Sequence, residues 1–341
     1  MLPVNRPVPY LLILMTVLLL IPSCSRQTRY LAVSGPYLGQ TPPGDEPQLF
    51  APGIVSSGLL VRDLTMTPDG QEIYFGVVTG YFNHATIAFT KMENGRWTRP
   101  EVAPFATETR YMNMEPHITP DGQHLYFLST RPREGTEYQP GWVNQDIWAV
   151  ERTDDGWGEP YNLGLPIDTD KPEFFPSVTH DGTMYFTRGG RESYIYRSRL
   201  VDGSYTTPEQ LPAQVNSTQN QYNAYIAPDE SYLIFGTPAR QDGLGRDDYF
   251  ICFRSADDTW TEPINLGEQI NSPRGYEYSP YVSPDGKYFF FSGQRTRTPE
   301  EYYGEDVTYE EIMTAYNEPE NGNIDIYWVD AGFIERLRPT K

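Results

Sequence analysis

TPDGQEIYFG (67–76) returns along the chain as TPDGQHLYFL (119–128), THDGTMYFTR (179–188), APDESYLIFG (227–236) and SPDGKYFFFS (283–292). Each copy places a tight turn before a short apolar run. The turn aspartates, Asp69, Asp121, Asp181, Asp229 and Asp285, are separated by 52, 60, 48 and 56 residues. A period near 50 built from short strands points to a radial β-propeller, in which each unit is one blade. Asp-Gly suits these turns because glycine takes positive φ without a Cβ clash.

The remainder of each unit fits a four-stranded blade. A third strand follows the apolar run: ATIAFTK (85–91), QDIWAVER (145–152), SYIYRSR (193–199), DYFICFR (248–254) and IDIYWVD (324–330). A polar turn and a strand carrying an aromatic and a proline come next, as in DGWGEPYNLG (155–164) and DTWTEPINLG (258–267). The last unit ends after its third strand. Its missing piece stands at the other end of the chain, where EPQLFAPGIVS (46–56) aligns without gaps to EPYNLGLPIDT (159–169) and EPINLGEQINS (262–272). The expectation is an all-β fold, a five-bladed β-propeller over residues 45–341. Residues 47–56 complete the last blade and so remove an open sheet edge. Aromatic residues, 14% of the chain, suit the wide gaps between blades.

The combined pattern, S/T-P-D-G before an apolar-Tyr-Phe run, then D-I-Y, then W-x-x-P-x-N-L-G-x-x-I-N-S, resembles the WD40-like propeller repeats of TolB-type bacterial envelope proteins. The resemblance covers about residues 45–335. It implies a propeller used for binding or scaffolding in the cell envelope, and it names no ligand.

At the N-terminus, Arg6 precedes the apolar run LLILMTVLLLI (11–21), which ends at Pro22-Ser23-Cys24. Eleven residues fall short of the roughly 20 that span a bilayer, so the run reads as a signal peptide, residues 1–23. Ile21-Pro22-Ser23-Cys24 resembles the lipobox of bacterial lipoproteins. That implies cleavage before Cys24, its lipidation, and a tether over 24–44. The other cysteine, Cys252, lies within YFICFR and reads as a small buried hydrophobe.

The chain carries a formal charge of −20. That balance excludes the basic footprint of a nucleic-acid binder, and it assigns membrane attachment to lipid alone. The four histidines, His84, His117, His124 and His180, show no ligand spacing. No cofactor and no metal is expected. The reading is therefore a monomeric lipoprotein of the bacterial envelope, at the outer membrane, whose partner is an envelope protein, a glycan or a peptide.

In a propeller, the segments leading into the innermost strands and those leaving the second strands meet at one mouth. The incoming segments bring Asp63, Glu115, Glu173 and Glu277, with Tyr222, Tyr276 and Tyr278; the outgoing ones bring Arg131, Arg188, Arg191, Arg240 and Arg295. The arginines, with Tyr222 and Tyr278, are candidates for holding an anionic sugar or peptide group. Salt bridges between blades are the structural alternative for the same residues. The acids are the candidates for a second function, carbohydrate hydrolysis by paired carboxylates. The longest insertions, 131–144 and 294–323, open on this same face.

Overall fold

The computed structural model describes residues 33–238, 240–273, 275–303 and 306–340. Cys24 and the expected signal peptide lie outside them. Five antiparallel sheets surround a central channel, one for each turn motif. The innermost strands are Leu60–Met66, Asn113–Ile118, Glu173–Val178, Tyr222–Ile226 and Glu277–Val282, for blades 1 to 5. They neighbour one another in that order, and blade 5 returns to blade 1.

The turns form as their chemistry dictates. In blade 1 the Thr67 hydroxyl donates to Asp69 Oδ1 at 2.6 Å, Asp69 Oδ1 accepts from Gln71 N at 3.0 Å, and Gly70 takes φ +66°. Blade 4 replaces the glycine by Glu230 at φ 60°. This side chain accepts from Tyr185 Oη at 2.9 Å and pairs with Arg254 at 2.8 Å, joining blades 3 and 4.

The ring closes as the alignment of 46–56 anticipates. Gln48 and Leu49 pair antiparallel with Trp328 and Tyr327 of the last blade, and Phe50 N donates to Ile326 O at 2.8 Å. The Phe50 ring meets Phe290 at 5.0 Å and Trp328 at 5.3 Å, both edge-on, which anchors the closing strand in the main core. Residues 33–44, assigned to a tether from the sequence, pack across this closure. Tyr37 lies 5.0 Å from the Tyr288 ring of blade 5, while Val33 O accepts from Trp97 N of blade 1 at 2.9 Å.

Every innermost strand carries one β-bulge, at Asp63, Glu115, Phe175, Asn223 and Ser279, each with φ between 51° and 63°. A bulge inserts one residue and re-aims the side chains on either side of it. Pro116, Pro176 and Pro280 follow three of them, where a missing ladder donor is tolerated. Two residues past the bulge, Thr65, His117, Ser177 and Tyr281 each accept from a backbone N–H of the next innermost strand: Ile118, Val178, Ile226 and Met66, at 3.0–3.1 Å. These bonds hold the ring together across the blades.

Candidate functional site

The bulge residues meet in the channel and close it. Arg62 Nε donates to both carboxylate oxygens of Asp63 at 2.7 Å, and its Nη2 donates to Glu115 Oε1 at 3.0 Å and Ser279 Oγ at 3.2 Å. Ser279 Oγ donates in turn to Asp63 and accepts from Asn223 Nδ2 at 3.1 Å. The other Glu115 oxygen accepts from Phe175 N at 2.9 Å. All five blades thus contribute one group to a polar belt around a single guanidinium. Burial opposes the charge on Arg62, but Asp63, Tyr278 and Glu115 outweigh it and raise its pKa. Burial pushes the Glu115 carboxyl up to about 8, against the pull of Arg62.

Above the belt lies an open mouth of about 450 Å³, also built from all five blades. Its aromatic walls are Tyr81, Phe82, Phe174, Tyr222, Tyr276 and Tyr278; its polar groups include Arg62, Glu115, Asn223, Asp247, Gln294 and Asn323. Tyr278 lies beneath the Arg62 guanidinium, 4.4 Å from ring centroid to Cζ, and Tyr222 donates to Asp247. Tyr81, at the tip of the blade 1 hairpin, is 96% exposed. Below the belt the channel narrows to a void of about 10 Å³ and widens to about 140 Å³ at the turn face. A larger cleft of about 690 Å³ lies between blades 2 and 3 on the turn face, away from the channel.

Of the residues selected from the sequence, Tyr222, Tyr278 and Glu115 line the mouth, and Asp63 lies in the belt beneath it. Glu173 and Glu277 do not join them. They precede their bulges by two residues and turn between blades. Glu173 pairs with Arg188 at 2.7 Å and accepts from the Thr169 hydroxyl; Glu277 accepts from Ser272 Oγ at 2.6 Å. Burial raises the pKa of both, Glu277 to about 7.

The arginines form a repeated clamp instead of a ring around the opening. Arg131, Arg188, Arg240 and Arg295 stack on the third-strand aromatics Trp148, Tyr196, Phe250 and Tyr327, at 5.8, 4.9, 4.7 and 4.6 Å. Each also reaches back to the crossover leading into its own blade, bonding Phe105 O, Ile167 O, Ser217 Oγ and Gln269 O respectively. Arg191 is exposed on the blade 3 hairpin. Among the described residues that line the mouth the cation is Arg62, which the sequence reading passed over. It stands beside Asp63 in the incoming segment, and an adjacent acid gave no reason to single it out.

Among the described residues, Asp146, Asp168 and Glu173 have carboxylate oxygens within 4.8 Å of one another. Two of the three already hold a guanidinium: Arg133 Nε donates to Asp146 at 2.6 Å and Arg188 Nε to Glu173 at 2.7 Å. No described helix is long and apolar enough to cross a membrane.

The fold defines the class of the protein, a five-bladed β-propeller. No protein-family model and no curated relative matches the sequence. Similar solved structures include TolB from Acinetobacter baumannii (14% identity, TM-score 0.43, covering 80% of this chain and 57% of that one). They also include an arabinanase from Bacillus subtilis (15% identity, TM-score 0.48, covering 82% and 97%) and an endo-arabinase from Bacteroides thetaiotaomicron (15% identity, TM-score 0.45, covering 70% and 91%). The chain thus spans just over half the length of the Acinetobacter protein. At these identities the likeness concerns the fold.

Proposed function

We propose that this chain is a lipid-anchored binding module of the bacterial cell envelope, and that its mouth takes a glycan or peptide group of an envelope partner. The observation that carries the reading is the mouth itself: aromatic side chains of blades 1, 3, 4 and 5 and the amides of Asn223, Gln294 and Asn323 line one recess above the polar belt. Aromatic walls with a few placed polar groups are the usual composition of a ligand pocket. Tyr81, exposed at the rim, offers a stacking face. Anchorage through Cys24, and with it the place at the outer membrane, rests on the apolar run 11–21 and the lipobox-like Ile21-Pro22-Ser23-Cys24.

One observation favours a second reading, a carbohydrate-active enzyme. Glu115 reaches the mouth and keeps a proton more readily than a free carboxyl, as a general acid must. Against it, both channel acids, Asp63 and Glu115, are held by the same Arg62. The two readings separate in one experiment: a panel of glycans and peptides tested against a soluble form beginning at residue 25, with product analysis of each mixture. Saturable binding without product supports the binding module. Steady release of reducing ends, lost in Glu115→Gln, supports the enzyme. Neither binding nor turnover across the panel removes the mouth as a glycan or peptide site.

A further inference from the structure

The crossovers between blades are latched by one repeated device, and one copy of it is chemically different. Between blades 3 and 4, Asn216 Oδ1 accepts from Ile195 N at 2.8 Å while its Nδ2 donates to Ile195 O at 3.0 Å. Between blades 4 and 5, Asn271 makes the same pair with Tyr249 N and O, at 2.8 and 3.0 Å, and its Nδ2 also donates to Asn265 Oδ1 at 2.8 Å. At the ring closure Ser56 bonds both N and O of Ile326. Each latch therefore needs one acceptor and one donor.

Between blades 2 and 3 the equivalent residue is Asp168. Its Oδ1 accepts from Ile147 N at 2.8 Å, like the two asparagines. Its Oδ2 then stands for their amide nitrogen and is buried without a partner, as is Asn162 Nδ2 of the same crossover. The groups that face the nitrogen in the other two latches are acceptors: the third-strand carbonyl, whose counterpart here is Ile147 O, and a second oxygen, Leu211 O at 2.8 Å for Asn216 and Asn265 Oδ1 for Asn271. Asn162 keeps its own role, its Oδ1 accepting from Gly164 N at 3.0 Å as Asn265 does from Gly267 N. A bare carboxylate oxygen at this place would be buried at 0% exposure with no donor bonded to it, an arrangement that leaves a charge without compensation.

We propose that Asp168 serves as a proton-loaded asparagine: it keeps a hydrogen on Oδ2 in the folded protein, donates it to the blade 2 backbone, and so makes the blade 2–3 crossover a latch that base weakens. The charges around it agree. Asp146 and Glu173 face it from blades 2 and 3, and the two cations nearby, Arg133 and Arg188, are spent on those two acids. Burial, Asp146 and Glu173 push the Asp168 carboxyl up to about 8, with Ile147 N and Arg133 pulling the other way. The same crossover, Leu163 to Ile167, walls the 690 Å³ cleft on the turn face, so that loosening the latch alters this cleft first.

The test compares the full chain with Asp168→Asn by equilibrium unfolding from pH 4 to pH 9. A folded carboxyl that holds its proton after the unfolded one has lost it makes folding take up one proton. Wild-type stability is then greatest below the unfolded value and falls as pH rises toward about 8. Relative to Asp168→Asn, the wild-type unfolding constant should rise about tenfold per pH unit between pH 5 and 7 and level off above 8. The variant should be the more stable chain at pH 7, and an infrared band of a protonated carboxyl at that pH should disappear with the substitution. Parallel pH profiles, a variant less stable at pH 7, or a variant that fails to fold would each overturn the proposal, since asparagine serves at this place in two other crossovers. So would calcium stabilising the wild type but not the variant at pH 8, which would give Oδ2 to a cation.

Discussion

Arg62→Met tests the channel belt most directly. The substitution keeps a long apolar stem over Tyr278 and removes the guanidinium, taking away two bonds to Asp63, one to Glu115 and one to Ser279. Asp63 and Glu115 are then left buried, with only neutral donors between them. Removing one partner of a buried ion pair costs about 3–5 kcal/mol, because the other charge stays behind without compensation. Adding Asp63→Asn removes one orphaned charge and should recover about 1–3 kcal/mol. Denaturant unfolding of the wild type, the single variants and the double variant, at pH 5 and pH 7, gives the complete cycle. A loss under about 1 kcal/mol for Arg62→Met, or a double variant no more stable than the single, would refute the account of the belt as one guanidinium shared by two acids.

Burial holds His117 down near pH 4, below the ordinary 6.5, with Nε2 accepting from Val178 N. Its depressed value adds stability above pH 6.5 that is lost as pH falls toward 4, up to about 3 kcal/mol; His117→Gln should flatten that limb of the acid unfolding profile. Tyr81→Ala should weaken ligand binding about five- to tenfold, the value of one stacked ring, without moving the melting temperature. Arg131→Ala should cost about 1–3 kcal/mol of stability while leaving mouth binding unchanged, because Arg131 bonds the Phe105 carbonyl and not the mouth. Cys24→Ala should move the protein from the membrane to the soluble fraction and abolish fatty-acid labelling; retention at the membrane in the variant would remove the lipid anchor.

The fold was legible because its signals are local and repeated. Asp69, Gly70 and their counterparts specify turns with their own side chains and backbone, so the unit length can be counted without tertiary information. Ring closure was legible for the same reason: Glu46-Pro47 begins a segment that aligns to two complete fourth strands. The tether was less so. Its polar, proline-containing composition conceals Tyr37, whose ring finds Tyr288, Phe290 and Trp328 only after the first and last blades have come together.

Two of the four acids selected from the sequence do not reach the channel. The sequence groups Asp63, Glu115, Glu173 and Glu277 because all four lie in segments leading into innermost strands, which alone makes their positions look equivalent. The bulge breaks that equivalence. Asp63 and Glu115 occupy the inserted position and point into the channel; Glu173 and Glu277 precede it by two and meet Thr169, Arg188 and Ser272 between blades. A sequence signal for this exists. Pro116, Pro176 and Pro280 sit within runs that otherwise read as central strands, where proline is tolerated only beside an irregularity. Counting back one residue from each proline gives Glu115, Phe175 and Ser279, three of the five bulge residues that meet in the channel. The arginines were misplaced for a related reason. Their spacing from the Tyr-Phe runs shows that they leave the second strand at the mouth face, but not that the third-strand aromatic offers a ring to fold back on. Once Trp148, Tyr196, Phe250 and Tyr327 hold them, they steady the crossovers, and the lining of the mouth is left to the aromatic and amide groups with Arg62.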